Sequence, residues 1–230
     1  MIYAMADVHG EYEKYAEMLK KINFGKDDTL YILGDVIDRG KDSVRVLKDM
    51  AGRANVYPVV GNHELMALSV LEKLAVEITA DNYSSQLEAA TFSLLLHWQQ
   101  NGGVTTLKEF SKLPVSERLD LIDYLKDFAP FETAEAGGKA FILVHSGLGN
   151  FSKSKKLSEY TLEELCMYRP DYNKQLFDDV YIVSGHTPTQ TISGTARIYQ
   201  SCNNICIDCG AVFGGRLACL RLDDLEEFYV

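Results

Sequence analysis

The amino-acid sequence predicts an α/β fold in which helices pack against a parallel sheet. Within residues 1–62, three short apolar stretches alternate with two segments whose apolar side chains recur at helical spacing. The links between these segments are short, which favours parallel strands. The chain has 230 residues, of which 47% are hydrophobic and 24% are charged, so it is long enough and apolar enough to form a globular core.

The elements of this first part follow one another in a regular order. Residues 2–6, 30–33 and 56–60 are apolar and have the length of strands. Two helices are predicted between them, with apolar faces formed by Tyr15, Met18, Leu19 and Ile22 and by Val44, Leu47, Met50 and Ala51.

Residues 65–130 differ in composition and predict a helical insertion. Leu, Ala, Glu and Lys dominate here, and leucines recur at helical spacing. Pro114, followed by Val115, Ser116 and Glu117, is typical of a helix start. Because we find no linker or repeat, we expect a single domain over residues 1–230, with the insertion at about 65–130.

Strands return after residue 131. They are predicted at residues 140–144, 180–183, 196–199, 205–208 and 216–222. Residues 210–215, with the sequence GAVFGG, are predicted to form a hairpin turn. We expect Cys206 and Cys209 to be small buried apolar residues rather than zinc ligands, and Cys202 likewise.

The charge of the chain excludes several classes of partner. With 23 basic and 33 acidic residues, the net charge is −10, which argues against a broad nucleic-acid-binding face. We find no polybasic segment for an anionic membrane, no apolar run of transmembrane length and no signal peptide at the start of the sequence. Five cysteines without a secretory signal are typical of reduced thiols, so we expect a cytoplasmic protein.

Polar side chains follow most of the predicted strands directly. Asp7 and His9 follow the first strand, the segment GDVIDRG at residues 34–40 follows the second, and GNHE at residues 61–64 follows the third. His145 and His186 each follow a later strand, so four of the five histidines lie just beyond strand ends. Because ligands gather at the carboxyl ends of strands in α/β sheets, this agreement predicts a metal site.

The candidate ligands are oxygen and imidazole donors. They are Asp7, His9, Asp35, Asn62, His145 and His186. A set without thiolate suits Mn²⁺, Fe or Zn²⁺. Six ligands exceed the needs of one tetrahedral ion and suit two ions bridged by a carboxylate, as in enzymes that transfer phosphoryl groups.

The motifs DVHG, GDVIDRG, GNHE, VHSGL and GHTP occur in this order along the chain. Together they resemble the phosphoprotein phosphatase family of binuclear metallophosphoesterases. That family contains serine/threonine protein phosphatases and symmetrical diadenosine tetraphosphatases. The resemblance implies a four-layer α/β/β/α sandwich of two mixed β-sheets flanked by helices, rather than the doubly wound sheet that periodicity alone suggests.

The resemblance also implies a role for each candidate residue. Asp7 and His9 would bind the first metal, Asp35 would bridge both, and Asn62, His145 and His186 would bind the second. His63 would protonate the leaving group and would be oriented by Asp38. Arg39 would hold phosphate oxygens, and Arg169 is the best match to a second phosphate-binding arginine.

These roles lead to a ranked set of functions. The first is a phosphomonoesterase of the serine/threonine protein phosphatase type, in which a hydroxide bridging two divalent ions, preferably Mn²⁺, attacks a phosphorylated protein or small phosphate ester. The second is a symmetrical diadenosine tetraphosphate hydrolase with the same core. A third is an inactive phosphate-binding module, against which the intact pair of His63 and Asp38 argues. We expect Trp98 to be a core residue, with a substrate contact as the alternative.

Overall fold

The computed structural model describes residues 1–76 and 89–230 and contains two five-stranded mixed β-sheets. The strands are β1 (Ile2–Met5), β2 (Thr29–Leu33), β3 (Val56–Val59), β4 (Glu132–Ala136), β5 (Lys139–Leu143), β6 (Val180–Ser184), β7 (Tyr199–Ser201), β8 (Asn204–Cys206), β9 (Ala218–Arg221) and β10 (Glu227–Tyr229). The α-helices are α1 (Tyr12–Lys21), α2 (Ser43–Ala51), α3 (Asn62–Leu74), α4 (Ala89–Trp98), α5 (Val104–Phe110), α6 (Val115–Lys126), α7 (Leu162–Cys166) and α8 (Thr189–Ser193).

The first sheet has the strand order β10-β9-β1-β2-β3. Its strands β1, β2 and β3 are parallel and are connected by α1 and α2, as the sequence predicts. Met5 pairs with Ile32, and Leu33 pairs with Val59, so the three strands end at nearly the same level. The loops that follow them therefore lie side by side.

The second sheet has the order β4-β5-β6-β8-β7, with β5, β6 and β8 parallel. Leu143 pairs with Val183, and Ser184 pairs with Cys206, so these strands also end together. Each sheet thus presents three carboxyl ends of parallel strands at one edge, which is where α/β proteins place ligands.

The sheets pack face to face over an apolar core. Alternate side chains of a strand point to opposite faces, and in β1 the residue Ala4 packs between the sheets whereas Met5 packs toward the helices. The cluster between the sheets also contains Leu33, Phe141 and Val183, all of them buried. Two mixed sheets flanked by helices confirm the sandwich that the family resemblance implies and exclude a single doubly wound sheet.

The described part of residues 65–130 is helical, as predicted. It comprises most of α3 together with α4, α5 and α6, and a π-helical turn at Gln99–Gly103 joins α4 to α5. Helix α6 begins directly after Pro114, where the sequence places a helix start. Residues 77–88 of the predicted insertion lie outside the described residues.

The predicted hairpin at residues 210–215 is wrong. This segment leads from β8 of the second sheet to β9 of the first and contains a 3₁₀ turn at Ala211–Phe213. One tight hairpin lies instead between β4 and β5, at Gly137 and Gly138. Another lies between β7 and β8, where Cys202 and Asn203 both have positive φ, as a two-residue turn requires. Because Cys202 is part of this turn it is exposed, contrary to prediction, whereas Cys206 and Cys209 are buried as expected.

Two further boundaries differ from prediction. The strand expected at residues 196–199 is β7, which begins only at Tyr199, because α8 and the left-handed Gly194 occupy the chain before it. The carboxyl-terminal β10 was missed because its sequence is short and follows an acidic stretch. Among the described residues, no helix is both long and apolar enough to cross a membrane.

Candidate metal centre and catalytic site

The carboxyl ends of the six parallel strands meet in one cavity. A polar residue follows each strand at this edge: Asp7 after β1, Asp35 after β2, Asn62 after β3, His145 after β5, His186 after β6 and Asp208 after β8. The sheets are joined here directly, because the His145 imidazole Nδ1 donates to the Leu33 carbonyl at 2.8 Å. Five of the six predicted ligands are among these residues, and the sixth, His9, lies two residues after Asp7 and lines the same cavity. Asp208 is a residue at this edge that sequence reasoning missed.

Four predicted ligands converge on one side of the cavity. The Nε2 of His145 lies 3.0 Å from the Asn62 Oδ1, 3.2 Å from the His186 Nδ1 and 3.4 Å from the Asp35 Oδ1. The His186 Nδ1 lies 2.9 Å from the Asn62 Oδ1. Ring nitrogens and side-chain oxygens this close together form a set of donors that one cation could share.

A second group lies on the other side of Asp35. The Nε2 of His9 is 3.6 Å and the Nε2 of His63 is 3.8 Å from the Asp35 Oδ2. His9 donates from Nδ1 to the Ile37 carbonyl at 2.8 Å, which fixes its ring and leaves Nε2 facing the cavity. Asp35 therefore lies between the two groups, with one carboxylate oxygen directed to each.

Asp7 lies beside this second group rather than within it. Its carboxylate accepts the backbone N–H of His186 at 3.0 Å and 3.2 Å and lines the same cavity as His9 and Asp35. The compact group contains His63 where the resemblance implies Asp7. His63 therefore lies both within reach of this donor group and beside Asp38.

The protonation states of these residues suit metal binding. Burial lowers the pKa of His9 and of His186 to about 3 and also lowers the pKa of His145, so all three imidazoles are neutral near pH 7. Burial would raise the pKa of Asp35, but the imidazoles of His145, His63 and His9 outweigh it and hold the pKa well below its usual value.

The other carboxylates show the opposite effect. Burial raises the pKa of Asp7 well above its usual value, and the neighbouring charges of Asp208 and Asp35 raise it further. Burial also raises the pKa of Asp208 to about 6. Burying the negative charges of three neighbouring carboxylates is unfavourable unless a positive charge compensates them. Divalent cations would supply that charge, because they bind deprotonated carboxylates and neutral imidazoles.

His63 is paired with Asp38. The His63 Nδ1 lies 2.7 Å from the Asp38 Oδ2, and both side chains are buried. Burial alone would lower the pKa of His63, but the carboxylates of Asp35 and Asp38 outweigh it and leave the pKa raised. A carboxylate on one nitrogen and a raised pKa are the properties of a general acid whose Nε2 faces the site.

The helical segment after β3 completes this pair. The Trp98 indole donates to the Asp38 Oδ2 at 2.7 Å, and the Thr106 hydroxyl donates to the Asp38 Oδ1 at 2.7 Å. Trp98 is fully buried, as expected of a core residue, but its N–H has a definite partner. Sequence reasoning missed both contacts, because they join residues 60 and 68 positions apart.

Both predicted arginines line the cavity, which has a volume of about 480 Å³. The Arg39 guanidinium contacts the His9 imidazole, and the backbone N–H of Arg39 donates to the Gly102 carbonyl at 3.0 Å. Arg169 is exposed and lies on the side of His186, whose pKa its charge helps to lower. Two guanidinium groups at the mouth of a cavity lined with metal-type donors suit a phosphate group.

The site residues adopt strained backbone conformations. Six of the eleven non-glycine residues with positive φ in the described chain are candidate site residues: Asp7, His9, Asp35, Asp38, Arg39 and His186. Each such residue costs about 1–2 kcal/mol relative to an ordinary conformation. Left-handed residues cluster at functional sites because the surrounding structure holds them there.

Two glycines of the motifs let the chains approach this closely. A Cβ on Gly185 would lie 2.0 Å from the Asp7 Oδ2, and one on Gly61 would lie 2.3 Å from the Asp35 Oδ1. Because a side chain at either position would collide with a candidate ligand, the glycines of GHTP and GNHE have a steric role.

Glu64, the last residue of GNHE, has a structural function that the sequence did not reveal. Its buried carboxylate accepts the backbone N–H groups of Asp35 and Val36 at 2.8 Å, of Gly61 at 2.9 Å and of Ile37 at 3.3 Å. It therefore ties together the loops that follow β2 and β3. These loops carry the candidate bridging carboxylate, the dyad aspartate and Asn62.

Comparisons with known proteins identify the family of this chain. The family model for calcineurin-like phosphoesterases matches residues 1–215. A symmetrical bis(5'-nucleosyl)-tetraphosphatase of Proteus mirabilis is 25% identical over 266 aligned positions, covering 98% of this chain and 96% of that protein.

Two solved structures share the fold. One, described as a candidate diadenosine tetraphosphatase, has a TM-score of 0.63 at 19% identity and covers 100% of this chain and 92% of that chain. The other, a protein serine/threonine phosphatase from Saccharomyces cerevisiae, has a TM-score of 0.56 at 14% identity and covers 100% and 78%. At these identities the likeness concerns the fold alone.

With its sandwich fold, its edge of metal-type donors and a family match over most of its length, the chain belongs to the calcineurin-like phosphoesterases, which are metal-dependent hydrolases.

Proposed function

We propose that this chain hydrolyses dinucleoside polyphosphates symmetrically in a reaction that depends on divalent metal ions. One observation carries the chemistry: the metal-type donors, the His63–Asp38 pair and both arginines converge at one cavity. The substrate class is supported by the tetraphosphatase of Proteus mirabilis, which this chain matches over nearly its whole length.

We assign the metal ligands as the motifs and geometry suggest. Asp7 and His9 would hold one ion, Asp35 would bridge, and Asn62, His145 and His186 would hold the other. Bound divalent ions would supply the activation of water and the neutralisation of phosphate charge. The set of oxygen and imidazole donors favours Mn²⁺, with Fe and Zn²⁺ as alternatives.

The remaining residues would bind the phosphates and move one proton. Arg39 and Arg169 would hold phosphate oxygens with their guanidinium groups. His63 would donate a proton from Nε2 to the oxygen of the leaving group, while Asp38 holds Nδ1 and keeps the ring oriented. The dyad geometry argues against an inactive phosphate-binding module, which would have no use for a proton donor at this position.

A serine/threonine protein phosphatase is the second candidate, although the sequence motifs alone place it first. Its support is the fold of the yeast phosphatase and the common motifs. The full-length match to a tetraphosphatase gives the dinucleotide the stronger support, because that relative covers 98% of this chain at higher identity.

A comparison of rates tests the proposal. The Mn²⁺-loaded protein is assayed on diadenosine tetraphosphate and on a phosphoserine peptide, with separation of the nucleotide products. We expect kcat/KM at least tenfold higher on the dinucleotide, ADP as the nucleotide product, and loss of activity with a chelator. A preference for the phosphopeptide would overturn the substrate assignment. Inactivity on both substrates with Mn²⁺, Fe²⁺, Ni²⁺, Co²⁺ and Zn²⁺ would overturn both enzyme assignments.

A further inference from the structure

Phe213 is an apolar side chain at the mouth of a polar cavity. It lines the cavity with Asp7, His9 and Arg39, yet 62% of its surface is exposed, the highest value among the large apolar side chains of the described residues. An exposed phenylalanine usually needs no explanation. One beside the phosphate-binding groups of a cavity suggests a ligand with an apolar part.

The loop that carries Phe213 is held firmly in place. The Asp208 carboxylate accepts the Gly210 N–H at 2.9 Å, and the Gly210 carbonyl accepts the N–H groups of Phe213 and Gly215 at 2.9 Å each. The Lys14 ammonium donates to the Ala211 carbonyl at 2.5 Å. The backbone of this loop is therefore held in place before any ligand arrives, which lowers the entropy cost of binding to a side chain that it carries.

The ring is also coupled to the phosphate-binding groups. The Arg39 guanidinium carbon lies 5.1 Å from the centre of the Phe213 ring, within the range of a cation–π contact. A phosphate held by Arg39 would thus bring the next part of its molecule close to this ring. Nucleoside phosphates are a chemical class that joins a flat aromatic group to phosphate through a short linker, and the face of that group can stack on a phenyl ring.

A second exposed apolar side chain lines the cavity close in sequence to an arginine. Met167 is 56% exposed and lines the cavity together with Arg169, two residues further along the chain. The cavity is thus lined by two arginines and two exposed apolar side chains: Arg39 contacts Phe213, and Met167 precedes Arg169 by two residues in the chain. A dinucleoside polyphosphate has an aromatic base at each end of its phosphate chain, so the cavity offers one exposed apolar side chain to the face of each base.

We propose that Phe213 is a base-stacking residue that holds one nucleobase of a nucleoside phosphate while Arg39 holds the adjoining phosphate. This inference rests on the proposed function and names a residue that selects the substrate. Stacking on an aromatic side chain is sequence-tolerant, because every base has a π-face. The subsite therefore accepts both purine and pyrimidine nucleotides. It binds purines more tightly, because their rings have a larger stacking area.

Two inhibitors that differ only by a nucleoside test the proposal. ADP and pyrophosphate share a diphosphate, and each is measured as a competitive inhibitor of p-nitrophenyl phosphate hydrolysis by the Mn²⁺-loaded enzyme. We expect Phe213→Ala to raise the ratio of the ADP Ki to the pyrophosphate Ki roughly tenfold, the equivalent of about 1.4 kcal/mol of stacking. Phe213→Trp should restore the ratio, and Phe92→Ala, which removes an exposed phenylalanine on α4 away from the cavity, should not change it.

Two results would overturn the inference. In the first, Phe213→Ala raises both Ki values equally, which would mean that the ring acts only through Arg39. In the second, Phe213→Ala leaves the ADP Ki unchanged but slows a phosphopeptide with an apolar flanking residue, which would assign the ring to peptide. Failure of the proposed function looks different: wild-type enzyme then cleaves no diadenosine tetraphosphate, whatever the inhibition ratio shows.

Discussion

The strand-end edge and the helical segment after β3 contribute to the same site in different ways. At the edge, every candidate ligand lies within four residues of the end of a strand, so the register of the sheets determines its position. In the helical segment, Trp98 and Thr106 reach Asp38 from 60 and 68 residues away. The edge supplies the candidate ligands, and the helical segment holds Asp38, the partner of His63, in orientation.

The contrast teaches that the helical segment does more than cover the site: it holds site residues in position. Besides its two bonds to Asp38, its Glu109 carboxylate accepts the N–H groups of Ser43 and Val44 at 2.9 Å and 3.1 Å and so caps α2. Gly102 packs against Arg39 so closely that a Cβ there would lie 2.6 Å from the Arg39 Cγ. Loss of edge residues should therefore abolish metal binding, whereas loss of insertion contacts should reduce turnover alone.

The largest effect is expected at Asp35. In Asp35→Asn, the side chain keeps its shape but loses the charge that faces both donor groups. We expect loss of both metal ions and a fall in kcat/KM of roughly a thousandfold, the equivalent of about 4 kcal/mol. Atomic emission of the dialysed protein and a hydrolysis assay measure the two effects. Retention of two ions would mean that Asp35 does not bridge them.

The next largest effect is expected at His63, and it distinguishes a proton donor from a metal ligand at this position. His63→Asn should lower kcat by roughly 10²- to 10⁴-fold, the contribution of a general acid, while the metal content remains that of the wild type. Metal content and kcat are measured on the same preparation. If the metal is lost together with the activity, His63 is a ligand, as its place in the compact donor group would then indicate.

Glu64 should show its effect in stability. Glu64→Gln replaces an acceptor of four backbone N–H groups by an amide that accepts fewer, so buried donors lose partners. We expect the free energy of unfolding of the metal-free protein to fall by roughly 1–3 kcal/mol in urea titrations. Glu72→Gln is the matched control, because Glu72 lies on the same helix, is half exposed and forms an ion pair with Lys126 at the surface. Equal effects of the two variants would contradict a stabilising role for the hydrogen bonds that Glu64 accepts.

The smallest effect is expected in the helical segment. Trp98→Phe removes the indole donor from Asp38 and should lower kcat roughly tenfold, with metal content unchanged. Because Trp98 would act only through the dyad, Trp98→Phe should have little further effect in a His63→Asn background. Additive losses in the double variant would show that Trp98 acts on turnover by another route.

The same contrast explains how much of the molecule could be predicted. The parallel strands, the helices between them and the six candidate ligands at the edge follow from local patterns, because each candidate ligand lies just beyond the end of a strand. Asp208 could have been found by the same rule, since it follows β8 by two residues, but its strand was predicted to end at that residue. The role of Glu64 could not be read from the motif, because its partners are backbone groups of another loop.

The misplaced hairpin has a related cause. The sequence GAVFGG contains the glycines of a turn, and local chemistry cannot tell a turn within one sheet from a loop that crosses to another sheet. The dyad contacts of Trp98 and Thr106 also depend on how the helical segment packs. Tertiary packing of this kind has no periodic or compositional signal in a single sequence.

The number of Mn²⁺ ions bound per chain tests the two-metal edge most directly. Equilibrium dialysis with Mn²⁺, followed by atomic emission, should give two ions per wild-type chain. Activity should appear only as the second ion binds, because in the proposed centre Asp35 would bridge the donors that lie on its two sides. Saturation at a single ion with full activity would contradict a binuclear centre at the strand ends.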